Sequence, residues 1–138
     1  MCFYLNKSLI SWASQKQRVV ALSSCEAEYM AATIAACQSI WLQGLLEEIS
    51  GQKVGPVILH VDNKSAIELM KNPVQHGRSK HIDVRFHFIR ECIERGKLVI
   101  EYVATHEQRA DILTKALGKV KFEEMRKVIG VEDIAAVA

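Results

Sequence analysis

The sequence predicts an α/β layer fold, and three observations carry that prediction. Short apolar, β-branched runs alternate with stretches of helical spacing along the whole chain. One long stretch, from about Ser23 to Glu48, is apolar around nearly its whole circumference, as in a helix central to its domain. The run Val57–Val61 is brief and almost wholly apolar, as in a buried strand, and passes at once through Asp62-Asn63 into another helix.

Taken in order, Met1 to Leu5 and Leu9 to Ala13 read as a hairpin closed by the turn Asn6-Lys7-Ser8. Ser23 with Glu26 three residues on forms a capping box that opens the long helix. On that helix Met30, Ile34, Cys37 and Trp41 lie on one side, with Ala31, Ala35, Leu42 and Leu46 on the other. Ser50-Gly51-Gln52 ends it. After the Val57–Val61 strand, a short helix through Ile67 and Met70 stops before Pro73, and Asn72 to Lys80 reads as a polar loop. Asp83 to Arg95 is expected to be helical, with Phe86, Ile89 and Ile93 inward and Gly96 as its stop. Leu98 to Val103 reads as a strand and Glu107 to Leu117 as a helix. A break at Gly118 and a last helix to Ile129 follow. Residues 1–130 make one expected domain, and 131–138 a tail with little signal.

Composition narrows the function classes. A chain of 138 residues with 49% hydrophobic and 25% charged residues suits one globular domain. Its net charge of +2 is too small to identify a nucleic-acid partner. No apolar stretch reaches membrane-span length, and the charged Lys7 comes too soon for a signal peptide. The four cysteines show no C-x-x-C pair. Cys37 and Cys92 fall among apolar residues and read as buried free thiols, which suggests a reducing compartment. Trp12 and Trp41 read as core residues rather than stacking platforms.

Three carboxylates stand where elements begin or end: Glu28 in the first turn of the long helix, Asp62 just past a strand, and Asp111 near a helix start. Ligands in open α/β sheets gather outside the carboxyl ends of strands. Two carboxylates about 4 Å apart repel by roughly 4 kcal/mol at an effective dielectric near 20, so a cluster there calls for a cation. All-oxygen ligation suits Mg²⁺ or Mn²⁺. A plainer explanation exists for two of the three. An acid at a helix N-terminus is usually there for the cap or the dipole, which accounts for Asp111 and equally for Asp62. The capping box accounts for Glu26, whereas Glu28 has no such local explanation.

The segments together say more. Ser11-Trp12-Ala13-Ser14-Gln15-Lys16-Gln17, Ala21-Leu22-Ser23-Ser24-Cys25-Glu26-Ala27-Glu28-Tyr29-Met30-Ala31-Ala32 and Val61-Asp62-Asn63-Lys64-Ser65-Ala66 closely resemble the ribonuclease H region of copia-type retrotransposons. So do Lys80-His81-Ile82-Asp83-Val84-Arg85-Phe86-His87-Phe88-Ile89-Arg90 and Gln108-Arg109-Ala110-Asp111-Ile112-Leu113-Thr114-Lys115-Ala116-Leu117. The resemblance runs to about Gly130. It implies a ribonuclease H-like mixed sheet flanked by helices, and a site of four carboxylates in the order Asp, Glu, Asp, Asp around two Mg²⁺ (or Mn²⁺) ions. By motif, Glu28, Asp62 and Asp111 match the last three, with Glu26 the competing assignment for the Glu. The first Asp belongs to a strand upstream of the hairpin and has no match in these residues. The expectation is therefore a domain lacking its first, central strand, whose edges would close on each other or recruit another chain.

The same resemblance implies hydrolysis of the RNA strand of an RNA–DNA hybrid by two-metal-ion catalysis, during reverse transcription of the element. The fragment is expected to be inactive alone. The alternative is a catalytically dead nucleic-acid-binding remnant, or a non-functional gene fragment. The implied partners are the hybrid and the upstream reverse transcriptase region of the same polyprotein, with no membrane and no small-molecule cofactor. The setting would be intracellular, cytoplasmic in a virus-like particle or nuclear. Asn63 and Gln108, beside the expected ligands, are candidates for substrate contact. Lys64, Lys71, Arg78, Lys80, His81, Arg85 and Arg90 crowd one stretch against the fewer acids Asp62, Glu68 and Asp83, which reads as a partial phosphate-binding surface. His106 resembles, at a shorter spacing, the mobile histidine that assists product release in some ribonucleases H.

Overall fold

The computed structural model describes the backbone of residues 1–71 and 80–132, and the side chains of 1–71 and 87–132. The chain divides into two compact units. One comprises Gln17–His106, and the other joins Met1–Lys16 to the stretch from Glu107 onward. The alternation of strands and helices expected from the sequence is present, as an α/β arrangement.

The larger unit opens with α1 (Ser24–Ser50). Ser23 takes extended backbone, and its Oγ accepts the Glu26 N–H at 3.1 Å. Glu26 reaches back through Oε2 to accept the Leu22 N–H at 2.6 Å. The box is thus one residue wider than its usual form, and it satisfies two amides that the helix itself cannot. Gly51 ends α1 in the left-handed region at φ 66°, with its N–H donating to the Glu47 carbonyl at 2.9 Å.

β3 (Val57–Val61) and β4 (Leu98–Tyr102) pair in parallel, Val57 opposite Leu98 and Val61 opposite Tyr102. The link between them holds α2 (Lys64–Lys71) and α3 (Lys80–Glu94). Gly96 stops α3 as expected. Its φ is 65°, its N–H donates to Ile93, and the Lys97 N–H donates to the Cys92 carbonyl, which closes a Schellman turn. One core joins these elements: Tyr29, Ala32 and Ala36 of α1, Val61 of β3, Ala66, Ile67 and Met70 of α2, Ile89 and Cys92 of α3, and Leu98 and Ile100 of β4. Gln43 of α1 is also buried and donates to the Gly55 carbonyl at 2.8 Å, tying α1 to the approach of β3.

In the smaller unit β1 (Cys2–Leu5) and β2 (Ser8–Trp12) form the expected hairpin, antiparallel, with an irregular register between Phe3 and Tyr4. Asn6 turns it at φ 56°, a conformation Asn accepts more readily than most side chains. The unit ends with α4 (Lys119–Val128), closed by a second Schellman turn through Gly130 at φ 80°. Among the described residues the strands form two two-stranded sheets, β1–β2 and β3–β4.

Four expectations need correction. α1 is not buried all round: a broad face through Tyr29, Ala32, Thr33, Ala36, Ser39 and Gln43 is covered, but Ile34 and Trp41 are exposed, Trp41 at 59%. Among the described residues the elements that pack most on α1 are β3, α2 and α3, and Ile34 and Trp41 lie outside what they cover. Trp12, at 62% exposure, likewise lies outside any core, because it falls on the outward register of β2. Cys37 is exposed, although Cys92 is buried as expected. The stretch 107–117 is not an α-helix but two 3-10 turns, Thr105–Glu107 and Arg109–Leu113. There the Gln108 side chain accepts the Ala110 N–H, and the Thr114 N–H bonds three residues back to Asp111, so local i→i+3 pairing prevails.

β3 also differs from the doubly buried strand its composition suggested. Val57, Leu59 and Val61 turn toward the core, while Ile58 and His60 are exposed. One face of this parallel pair is open among the described residues.

Candidate functional site

At the carboxyl end of β3 the chain changes direction within two residues. Asp62 follows the last residue of the strand, and Asn63 begins the turn into α2. Asn63 Oδ1 accepts the Ala66 N–H at 3.0 Å, and its carbonyl accepts the Ile67 N–H at 3.1 Å. Asn63 is therefore the N-cap of α2, and its oxygen is engaged whatever its amide nitrogen does. The cap holds Asp62 at the mouth of the parallel pair, where the topology of α/β sheets gathers ligands. Asp62 itself is half-buried.

Lys64 stands on the first turn of α2, with its ammonium 4.8 Å from the centre of the Tyr102 ring. Tyr102 is the register partner of Val61, so parallel pairing brings the ring beside the turn that carries Asp62 and Lys64. A cation over an aromatic face is held by the ring quadrupole yet keeps its charge available to an anion. Nothing in the order of residues signalled Tyr102, since its place depends on strand register.

Glu28 lies in the second turn of α1, not the first, because the helix begins at Ser24. It is half-buried. Glu26, the rival assignment, has its carboxylate occupied by the Leu22 amide. Both Glu28 and Asp62 belong to the larger unit, and Asp111 belongs to the smaller one.

Asp111 stands in the second 3-10 turn with its side chain only 15% exposed, and Lys115 Nζ donates to its Oδ2 at 2.8 Å. The two stand at the i, i+4 spacing that lets such side chains meet. Gln108 caps the same turn, with Oε1 accepting the Ala110 N–H at 3.4 Å. His106 is exposed in the preceding turn.

The basic stretch is less uniform than its composition. Lys71 is exposed at the end of α2. Arg90 is spent in an i, i+4 pair with Glu94 at 2.7 Å. Arg78 lies outside the described residues, and of Lys80, His81 and Arg85 only the helical backbone is described.

Carboxylate oxygens make a hard donor set, suited to magnesium-like cations rather than to soft metals. Among the described residues no group of three or more His, Cys, Asp or Glu side chains is gathered as a metal site.

Comparison with known proteins gives the context. Over 128 residues, 93% of the chain, it is 42% identical to the retrovirus-related Pol polyprotein from transposon TNT 1-94 of Nicotiana tabacum. Over the same share it is 42% and 41% identical to those from transposons RE2 and RE1 of Arabidopsis thaliana. The chain is homologous to a segment of retrotransposon Pol polyproteins. It spans about a tenth of the length of these relatives, 10% of the first and 9% of the others. No family model matches the chain, and no solved structure matches it. No described helix is long and apolar enough to cross a membrane.

Proposed function

We propose that the chain is the ribonuclease H-type segment of a retrotransposon Pol polyprotein. In that setting it hydrolyses the RNA strand of RNA–DNA hybrids made during reverse transcription. The observation that carries this reading is the position of Asp62: a half-buried carboxylate at the carboxyl end of a parallel strand, at the head of a capped helix, within a segment homologous to Pol polyproteins.

Glu28, Asp62 and Asp111 would hold two Mg²⁺ ions, together with an Asp from a strand outside these 138 residues. The metals supply an activated water and charge stabilisation at the leaving oxygen. The protein's own residues position. The Asn63 cap fixes the backbone turn next to Asp62, and the Ser23–Glu26–Leu22 cap occupies Glu26, which supports Glu28 as the ligand. Lys115 holds the Asp111 carboxylate until a cation competes for it. Lys64, Lys80, His81, Arg85 and Arg78 would meet the phosphate backbone, and Asn63 and Gln108 the sugar edge that distinguishes RNA from DNA. The reverse transcriptase region of the same polyprotein is the natural neighbour.

The test is cleavage of an end-labelled RNA–DNA hybrid in Mg²⁺. The 138 residues alone are expected not to cut. The same chain preceded by the upstream strand with its Asp is expected to cut the RNA strand only, and Asp62→Asn should abolish that. Cleavage undiminished by Asp62→Asn overturns the assignment. A second reading, a segment that binds hybrid without cutting, gains if the extended chain binds in a salt-dependent way yet leaves the RNA intact.

A further inference from the structure

Lys64 and Tyr102 meet at the mouth of the parallel pair, and the backbone of each is held from its own side. Lys64 is the first residue of α2, directly after the Asn63 cap. Tyr102 closes β4 opposite Val61, and the following amide, the Val103 N–H, donates to the Val61 carbonyl at 3.1 Å. The ladder thus runs one residue past the ring. Between these two fixed points the Lys64 ammonium stands 4.8 Å from the ring centre. Both side chains stay open to solvent, Lys64 exposed and Tyr102 at 49%. Among the described residues the core cluster does not include Tyr102, so packing in the core does not account for the ring.

We propose that Tyr102 is a positioning residue, whose ring holds the Lys64 ammonium ready for a phosphodiester of bound nucleic acid beside Asp62. This rests on the proposed binding of RNA–DNA hybrid and extends it to Tyr102. A lysine head on four rotatable bonds sweeps many positions, and fixing it on a phosphate costs rotamer entropy. A ring that already keeps the head in one place removes part of that cost before the ligand arrives. The ring quadrupole attracts the ammonium without neutralising it. An ammonium carries three N–H donors, so those turned away from the ring remain for phosphate oxygens. A carboxylate in the place of the ring would hold the same head but cancel its charge. Since the attraction is to the ring face and not to the hydroxyl, phenylalanine should serve as well as tyrosine, and leucine should not.

The full chain is titrated into a fluorescently labelled RNA–DNA hybrid without divalent cation, and affinity is read by anisotropy over a series of salt concentrations. Tyr102→Leu should weaken binding by about 2- to 5-fold, the worth of an exposed cation–ring contact. The slope of log K against log salt should stay as in the parent, because the phosphate contact still forms at a greater entropic cost. Tyr102→Phe should bind as the parent does. In a Lys64→Met background, which itself lowers the slope by about 1, Tyr102→Leu should have no further effect. A ring with a merely structural role would weaken binding as much without Lys64 as with it. Additive losses from the two substitutions, parent affinity in Tyr102→Leu, or a Tyr102→Phe as weak as Tyr102→Leu would each overturn the proposal while hybrid binding stands. A parent chain that fails to bind hybrid would overturn the proposed function along with it.

Discussion

Asn63→Ala tests whether the turn carrying Asp62 is built as described. The substitution removes the acceptor of the Ala66 amide, whose own side chain is fully buried, and leaves the backbone bond from Ile67 in place. Losing a side-chain N-cap costs about 1 kcal/mol, within a range of roughly 0.5–2. For a chain of this size that is a fall of about 3–5 °C in Tm. Asn63→Asp keeps an acceptor of the same reach. It adds a charge that the helix N-terminus favours by about 0.3–1 kcal/mol and that neighbouring Asp62 offsets, so stability should stay within about 0.5 kcal/mol of the parent. Thermal unfolding followed by far-ultraviolet circular dichroism gives both values, and amide exchange across α2 localises the effect. If Asn63→Ala unfolds with the parent, or Asn63→Asp falls as far as Asn63→Ala, Asn63 is not the cap and the turn described beside Asp62 is not built this way.

Other expectations follow from the same structure. Ile89 is completely buried, so Ile89→Ala should cost about 2–5 kcal/mol by urea denaturation, whereas Trp41→Gln on the open side of α1 should change stability by less than about 0.5 kcal/mol. Burial raises the Tyr29 phenol well above its ordinary value. The folded state therefore resists its ionisation while the unfolded state ionises near pH 10. Stability from this group is complete below about pH 10 and declines above it by at most about 1.4 kcal/mol per pH unit. Absorbance at 295 nm should show Tyr29 titrating only as the chain unfolds, and a smooth titration of all three tyrosines in the folded protein would contradict this. If Lys64 meets a phosphate, Lys64→Met should weaken hybrid binding and lower the slope of log K against log salt by about 1, with stability barely changed.

Much of the fold was legible because its signals are local. The hairpin follows from Asn6 between apolar runs, and the α1 cap from Ser23 and Glu26. The ends of α1 and α3 follow from Gly51 and Gly96, which hold the positive φ that side chains avoid. What was not legible depends on partners. An apolar residue at helical spacing is buried only where another element covers it, so Ile34, Cys37 and Trp41 could not be sorted from Ala32 and Ala36 by pattern. The stretch after β4 misled because its helical spacing is real but short: the Gln108 cap and the Asp111–Thr114 bond turn it as 3-10. Of the site, Asp62 was legible as a strand exit. Its neighbour Tyr102 was not, because strand register is set by pairing between β3 and β4.

The proposed function requires that Glu28, Asp62 and Asp111 serve one metal centre. Titrating Mn²⁺ into the isotopically labelled chain, extended by its upstream strand, reads this directly, since the paramagnetic ion broadens nearby amide signals. Signals around all three carboxylates should broaden together at one Mn²⁺ concentration, and all should sharpen again in Asp62→Asn. Broadening around Glu28 and Asp62 while the Asp111 turn stays sharp would contradict the account.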